Sequence, residues 1–595
     1  MERKKADLRV WKRVLPYVSR MKKTAVIVLV FMLVSSFSES IYPLFTTYAV
    51  NSFVTSGTTD GVGKFIFFFA MAIVAGGVAV IIYCRNALVM EIDLGRMMKR
   101  DCFVHLQELS LSFYSSSSVG YLLARVMSDT DRISSVIAWG ILNFLWNLCY
   151  IIGAFISMFA LNARLAAILL IVAPAVGVIT WFFQTRILKS NRVVRHINSQ
   201  ITGAYNEGIT GAKASKTLVI EDTHCREFSA LTGEMYRHSM RSSMLTAVMI
   251  PLVMFCGSAA VAAVLDIGGR SVMLHGMDYG TLSAFITYAV SIITPIVEVA
   301  HVFTDLNTAQ VCIERVNALL NEPPTITDTP EVIEKYGTAL EPKYENWEPV
   351  HGDIEFDHVW FKYPGSDEYV LEDFCLKIPA GTTLAIVGET GAGKSTRVNL
   401  ACRFYEPTSG RVLVDGRDVR CRSSLWLHSA LGYVLQDPHL FSGTLADNIR
   451  YGRLDASLED IVRAAQLVSA DVVASHLPEG YNTDVGEGGD RLSTGEKQLV
   501  SFARAIIADP PIFVLDEATS SIDTGTEQLI QNAISKVLKG RTSFIIAHRL
   551  STIRHADMII VVEKGRIVEK GTHEELMALS GHYAALCRAM QIKET

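Results

Sequence analysis

Leu384-Ala385-Ile386-Val387-Gly388-Glu389-Thr390-Gly391-Ala392-Gly393-Lys394-Ser395 reads as a buried strand running straight into a glycine-rich loop. Four consecutive apolar residues without alternation fit a strand covered on both faces, as in a parallel sheet. The loop spells G-x-x-x-x-G-K-S in the strand–loop–helix setting that gives the motif its meaning. Glycines let the backbone approach a phosphate, and amide N–H groups with the helix N-terminus cradle it. Lys394 is placed to bridge β- and γ-phosphates, and Ser395 to ligate Mg²⁺. Gly388, Glu389, Thr390, Gly391, Ala392, Gly393, Lys394, Ser395 and Thr396 are therefore candidate ligands of ATP.

A second apolar run, Ile512-Phe513-Val514-Leu515, ends in Asp516-Glu517. A buried strand ending in two acids beside a phosphate loop gives each acid a task. Asp516 is the candidate Mg²⁺ ligand, and Glu517 the candidate general base that orients the attacking water. A solvated pair of strand-end acids is the plainer alternative. Upstream, Ile354, Phe356, Val359 and Phe361 suggest a small antiparallel element at the start of this half.

The first half differs in character. The chain of 595 residues is 50% hydrophobic and only 19% charged, and the apolar excess lies before about residue 303. Six apolar runs, at 24–48, 64–84, 136–161, 165–187, 244–265 and 280–302, each approach the roughly 20 residues a spanning helix needs. Lys and Arg cluster in the N-terminal segment and in the two long links after the second and fourth runs; the other links are poor in them. The positive-inside rule makes the basic segments cytoplasmic. Six spans then return the chain to the cytoplasm, where the soluble half is expected. Residues 7–20 read as an interfacial helix, and the long links as helix extensions with breaks at 117–120 and 208–215. Glu39 and Glu298 fall inside apolar runs. Such carboxylates face a bundle interior or water, either contacting a cation or substrate or lining a wet cavity without selecting anything.

Net charge is −5, so no basic field for nucleic acid exists. Ten cysteines stand singly with no C-x-x-C spacing, which argues against a metal or disulfide framework. Residues 321–350, rich in proline and acids, read as a linker, dividing a membrane part (1–320) from a nucleotide-binding part (351–595).

At this point the chain resembles the ATP-binding cassette family, exporter branch, with membrane and nucleotide-binding domains fused in that order. The resemblance implies a six-helix membrane domain plus an α/β P-loop ATPase domain with antiparallel β and helical subdomains, in a cell membrane with the ATPase cytoplasmic. It implies that Tyr363 stacks on adenine and that Gln436 senses Mg²⁺ and the γ-phosphate. Leu492-Ser493-Thr494-Gly495-Glu496 matches the signature, Ser520-Ser521-Ile522-Asp523 the loop that communicates across the dimer, and His548 the switch histidine. The turns near 112–120 and 207–215 correspond to coupling elements. Implied partners are a second half-transporter chain, membrane lipid and a small hydrophobic substrate.

Two positions depart from the family. The signature is usually LSGGQ and here is LSTGE. In this family each ATP lies between one chain's phosphate loop and the other's signature. Glu496 then sets a negative charge near an anion, a repulsion of about 2 kcal/mol at about 8 Å with an effective dielectric near 20. Thr494 adds a Cβ, while Ser493 and Gly495 are kept. An altered signature beside an intact phosphate loop favours one half of an asymmetric heterodimer over a homodimer. Arg397 stands where leucine is usual, on the helix after the phosphate loop, and the sequence offers no account of it. The expected activity is ATP-driven export of a drug-like compound, lipid or peptide. The alternative is a membrane-anchored ATPase that acts as a sensor or assembly factor.

Overall fold

The computed structural model describes residues 8–389, 391–516, 524–546 and 550–594. Its contacts divide the chain into two units. The first holds residues up to 107 and 118–322; the second holds 108–117 and 323 onwards.

In the first unit, six helical segments are long and apolar enough to cross a membrane: Lys22–Val54, Val62–Glu108, Val119–Leu161, Ala163–Thr210, Glu221–Met273 and Tyr279–Leu320. Each contains one of the six apolar runs. The long links are helix extensions, so the second and fourth spans continue well past their apolar stretch and the fifth begins well before its own. Ser117 and Ser118 are extended and separate the short helix Leu111–Ser116 from the third span. The third span is interrupted by π-helical turns at Ala124–Asp129 and Val136–Gly140. The second break falls at Gly211 and at Val219, whose φ is +55°. Residues 8–20 form two short helices, Leu8–Lys12 and Leu15–Arg20, because Pro16 lacks the N–H that would continue one through. The most apolar window of each span is between 11% and 33% buried within this chain, which leaves most of the apolar surface for lipid or another chain.

The second unit contains two sheets. One is antiparallel, in the order β2-β1-β4-β5, from β1 (Ile354–Phe361), β2 (Leu371–Ile378), β4 (Ser409–Val414) and β5 (Arg417–Asp418). The other has six strands in the order β10-β9-β3-β8-β7-β6. They are β3 (Thr383–Gly388), β6 (Leu431–Val434), β7 (Ile512–Asp516), β8 (Thr542–Ile546), β9 (Met558–Glu563) and β10 (Arg566–Gly571). Within it β6, β7, β8, β3 and β9 run parallel.

The uninterrupted apolar runs follow from that position. Leu384 and Ile386 of β3, with Ile512, Val514, Phe544 and Ile546, enter one core. Ala385 and Val387, with Phe513, Leu515 and Ile545, enter the other. Period-two alternation is present, but both faces are dry, so it leaves no polar trace.

Residues 321–350 are folded rather than extended between the units. Pro330–Tyr336 is helical, capped by Thr329, and Val332 and Tyr336 are buried in the core that holds β1 and β2. Asp328 pairs with the buried Arg403 at 2.8 Å, and Trp426 Nε1 donates to Glu348 O at 2.6 Å. The few apolar anchors of this segment are hidden in the sequence among prolines and acids. Within the same unit, Ser110 Oγ accepts from Ile326 N at 3.0 Å and Ser112 Oγ lies 3.1 Å from Thr325 Oγ1.

Candidate functional site

The register of the six-stranded sheet brings the chemistry-bearing residues to one edge. Gly388 pairs with Val562, Asp516 with Ile546, and Val434 with Leu515. The C-terminal ends of β3, β7 and β6 are thus aligned, and the phosphate loop, Asp516 and Gln436 all emerge there. Open α/β sheets bind ligands at that edge. Gly388 must be glycine: a Cβ there would sit 2.3 Å from Val562 O.

Gly393, at φ +87°, ends the loop and precedes the helix Lys394–Ala401. Lys394 is buried, and its Nζ donates to Gly388 O at 2.8 Å and Glu389 O at 3.0 Å. The ammonium therefore lies within the curl of the loop. Burial pushes its pKa down, and Asp516 opposes that shift. Ser395 is exposed on the first turn of the helix, while Thr396 is buried. Tyr363 Oη and Thr396 Oγ1 lie 2.9 Å apart, and the Tyr363 ring packs edge-on against Tyr405. Tyr363 is thereby fixed beside the phosphate-loop helix. Gln436 is exposed two residues past β6. An exposed hydroxyl, a carboxylate at a strand end and an exposed amide are oxygen donors, the set that suits Mg²⁺. Thr390, Glu517, Ser520 to Asp523 and His548 lie outside the described residues.

The signature residues form a helix N-terminus. Ser493 caps the helix Thr494–Ile506, whose Leu499, Phe502, Ala503 and Ile506 enter the core. The cap is reciprocal. Ser493 Oγ accepts from Glu496 N, and Glu496 Oε2 accepts from both Ser493 N and Ser493 Oγ at 2.8 Å. This is a capping box, in which a carboxylate turns back on the first donors of its own helix. Thr494 is exposed and Gly495 buried. The same helix is fastened to the segment after Gln436 by Arg504. Its guanidinium donates to His439 O at 2.9 Å, and to Asn448 O and Oδ1 at 2.8 Å each.

Arg397 is the residue that sequence reasoning left without a role. It is 1% exposed. Nη1 donates to Gly393 O at 2.8 Å and Ala392 O at 3.3 Å, and Nη2 to Gly565 O at 2.8 Å. Its guanidinium carbon lies 4.6 Å from the centroid of the Phe374 ring. Burial pushes its pKa down to about 9, which leaves it charged at neutral pH. A buried cation held by carbonyls, with no ion-pair partner among the described residues, underlies the phosphate loop.

Comparison with known proteins settles the family. The chain matches the family model of the ABC transporter transmembrane region over residues 25–296 and that of the ABC transporter over 371–520. This chain belongs to the ABC transporter family. It is 34% identical to an ATP-dependent lipid A-core flippase of Desulfotalea psychrophila, over 85% of this chain and 86% of that one. It is 38% identical to a fatty acid ABC transporter ATP-binding/permease protein of Mycobacterium tuberculosis, over 83% of this chain and 76% of that one. A solved bacterial Atm1-family ABC exporter with ATP bound superposes with a TM-score of 0.77 at 25% identity, covering 95% of this chain and 98% of that one. The chain is thus a multi-pass membrane protein with a cytoplasmic ATPase, an ATP-binding half-transporter whose ATP hydrolysis is coupled to export.

Glu39 and Glu298 are both exposed within the first unit, and neither has a hydrogen-bond or ion-pair partner among the described residues. Sequence reasoning missed Asp129. It is buried and pairs with Arg125 at 2.7 Å. Its signal was the i, i+4 spacing of Arg125 and Asp129 on one helix face.

Proposed function

We propose that this chain is one half of a heterodimeric exporter of an amphipathic substrate, with two unequal ATP sites. One site combines this chain's phosphate loop, Ser395, Gln436 and Asp516 on Mg²⁺, Glu517 as base, His548 on the γ-phosphate and Tyr363 on adenine with the partner's signature. The other combines the partner's phosphate loop with Ser493, Thr494, Gly495 and Glu496 of this chain. The capping box carries the reading. A glutamine at this position would cap in the same way; Glu496 differs in adding a negative charge, held at Ser493 N and Oγ, on the side that would face the γ-phosphate. ATP binding closes the two ATPase domains head to tail; the spans switch from inward- to outward-facing; hydrolysis at the Glu517 site resets the cycle.

Kinship with a lipid A-core flippase and a fatty acid transporter supports an amphipathic substrate with an acyl component. The test is copurification with a tagged chain, followed by ATP-dependent uptake into inside-out vesicles. A second chain of the same layout, whose base position is not glutamate, is expected. In the pair, Glu517→Gln should retain ATP binding and abolish uptake. A stable, active homodimer would overturn the heterodimer. ATP hydrolysis with no transport of any lipid or hydrophobic compound would favour the sensor reading.

A further inference from the structure

The fourth span, Ala163–Thr210, and the fifth, Glu221–Met273, pack antiparallel along their cytoplasmic extensions. Tyr205 meets Phe228 with ring centroids 4.8 Å apart. Ser190 Oγ donates to His238 O at 3.1 Å, and Ser242 Oγ to Asn191 Oδ1 at 2.7 Å. Beside these two hydrogen bonds the helices part around a cavity of about 350 Å³. Arg186 and Lys189 line it from one helix, and His238, Arg241 and Leu245 from the other.

Basic residues at the cytoplasmic ends of spans are ordinary, and on these two helices Arg192, Arg195 and Arg237 also lack an ion-pair partner among the described residues; Arg186, Lys189 and Arg241 are set apart by lining one cavity. Elsewhere in this unit Arg125, Arg132, Arg226 and Arg270 each pair with an aspartate. Arg186, Lys189 and Arg241 pair with no carboxylate among the described residues. All three are exposed, and all three border the same cavity.

The depth of the cavity is fixed by the sequence around it. Trp181 and Phe182 are exposed, and Arg186 lies over the Phe182 ring at 4.1 Å. Aromatic residues of that kind mark the edge of the hydrocarbon. Arg186 follows Trp181 by five residues, about 7.5 Å of helix, comparable with the headgroup layer. On the other helix the apolar run begins at Met244, three residues past Arg241. The exposed Val178, Met244 and Val248 continue toward the hydrocarbon. Three unpaired cations at headgroup depth, with apolar surface on the membrane side, match a phosphate with acyl chains attached.

We propose that this cavity binds the phosphate headgroup of an anionic lipid in the cytoplasmic leaflet. The inference rests on membrane orientation alone and stands apart from the heterodimer and from the transported substrate. It is tested with the full chain in phosphatidylcholine nanodiscs containing a phosphatidylglycerol that carries a photoreactive group near its phosphate. Crosslinked peptides should map to residues 181–193 and 237–248. Each cation removed should weaken labelling roughly fivefold, so Arg186→Ala with Arg241→Ala should lower it about 25-fold. The pair Arg186→Lys with Arg241→Lys should retain it. If the Ala pair does not fold, Lys189→Ala is read instead, with a loss of about fivefold. Competition with inorganic phosphate separates the two sources of the same chemistry. Loss of labelling at millimolar phosphate would assign the site to a soluble anion and overturn the proposal. Equal labelling by a photoreactive phosphatidylcholine, or labelling unchanged in the variants, would overturn it as well.

Discussion

Arg397→Leu restores the residue usual in the family and removes the buried cation beneath the phosphate loop. Two effects follow, and they are separable. In the folded protein, leucine relieves the desolvation of a charge that is 1% exposed, while Gly565 O loses the donor it has at 2.8 Å. An unpaired buried carbonyl costs about 1–3 kcal/mol, and replacing a buried charge by an apolar group returns a similar amount. The net change in stability is therefore small. ATP binding responds differently. The guanidinium hydrogen-bonds the carbonyls of Ala392 and Gly393, and phosphates bind the amides of the same loop. Two hydrogen-bond lengths and the thickness of a backbone separate the charges by about 8 Å. At an effective dielectric near 20 that attraction is about 2 kcal/mol, or about 30-fold in affinity. It acts alike on ground and transition states, so KM for ATP should rise about 30-fold with kcat little changed. Arg397→Lys keeps the charge without the fork and should recover most of the affinity. The assay is ATPase activity against ATP concentration on reconstituted protein, with thermal denaturation alongside. A folded Arg397→Leu protein with KM within about twofold of the parent would refute the electrostatic argument, as would a lysine variant no better than leucine.

Two further outcomes are expected. Glu496→Gln removes the charge of the capping box but leaves an amide that still caps, so helix stability should change by less than about 1 kcal/mol. The concentration of ATP for half-maximal occupancy at the site completed by this signature should fall about 30-fold, read by nucleotide trapping; no change would show that the carboxylate does not oppose the phosphate. His428 is a pH-sensitive element of the ATPase unit. It is partly buried, its Nε2 donates to Cys402 O at 2.9 Å, and desolvation of the ring holds its pKa below the usual histidine value. The folded state thus keeps the ring neutral, whereas the unfolded chain takes up a proton below about pH 6.5. That contribution to stability is complete above about pH 6.5 and declines as pH falls through it. Melting curves between about pH 7 and pH 5 should show the decline, and His428→Gln should flatten it.

Much of the architecture was legible because its causes are local. Six apolar runs of spanning length, basic links and one phosphate-loop motif each depend on neighbouring residues. The folded state of 321–350 was not legible. Its structure rests on Asp328 reaching Arg403 and on Glu348 O accepting from Trp426, contacts about 75 and 78 residues away in the chain. The location of Arg397 was legible and its role was not, since the third acceptor, Gly565 O, is 168 residues downstream. The capping box at Ser493 and Glu496 is the opposite case. S-x-x-E before an amphipathic helix is a sequence signal for a cap, and the cap joins residues only three apart in the chain. The lipid-headgroup cavity required the antiparallel register of two helices, which no local pattern carries.

Arg397 and Glu496 carry opposite charges, and in the arrangement proposed here they act on different half-sites. Arg397 underlies the phosphate loop this chain keeps for itself; Glu496 stands on the signature it lends to a partner. Each acts on bound ATP with about 2 kcal/mol, at about 8 Å and an effective dielectric near 20. In a homodimer every site would combine one phosphate loop with the other copy's signature. Attraction and repulsion would then fall on the same nucleotide and largely cancel. In a heterodimer whose partner has neither residue they separate, strengthening one site and weakening the other. Double-variant behaviour distinguishes the two cases. If both charges act on one nucleotide, Arg397→Leu with Glu496→Gln should bring a single KM back near the parent value. If they act on two, the double variant should show each single effect undiminished, with the site retaining Glu517 weakened and the other tightened. A departure from the family pattern that looks damaging at one position is, on this argument, half of a charge arrangement that makes the two ATP sites unequal.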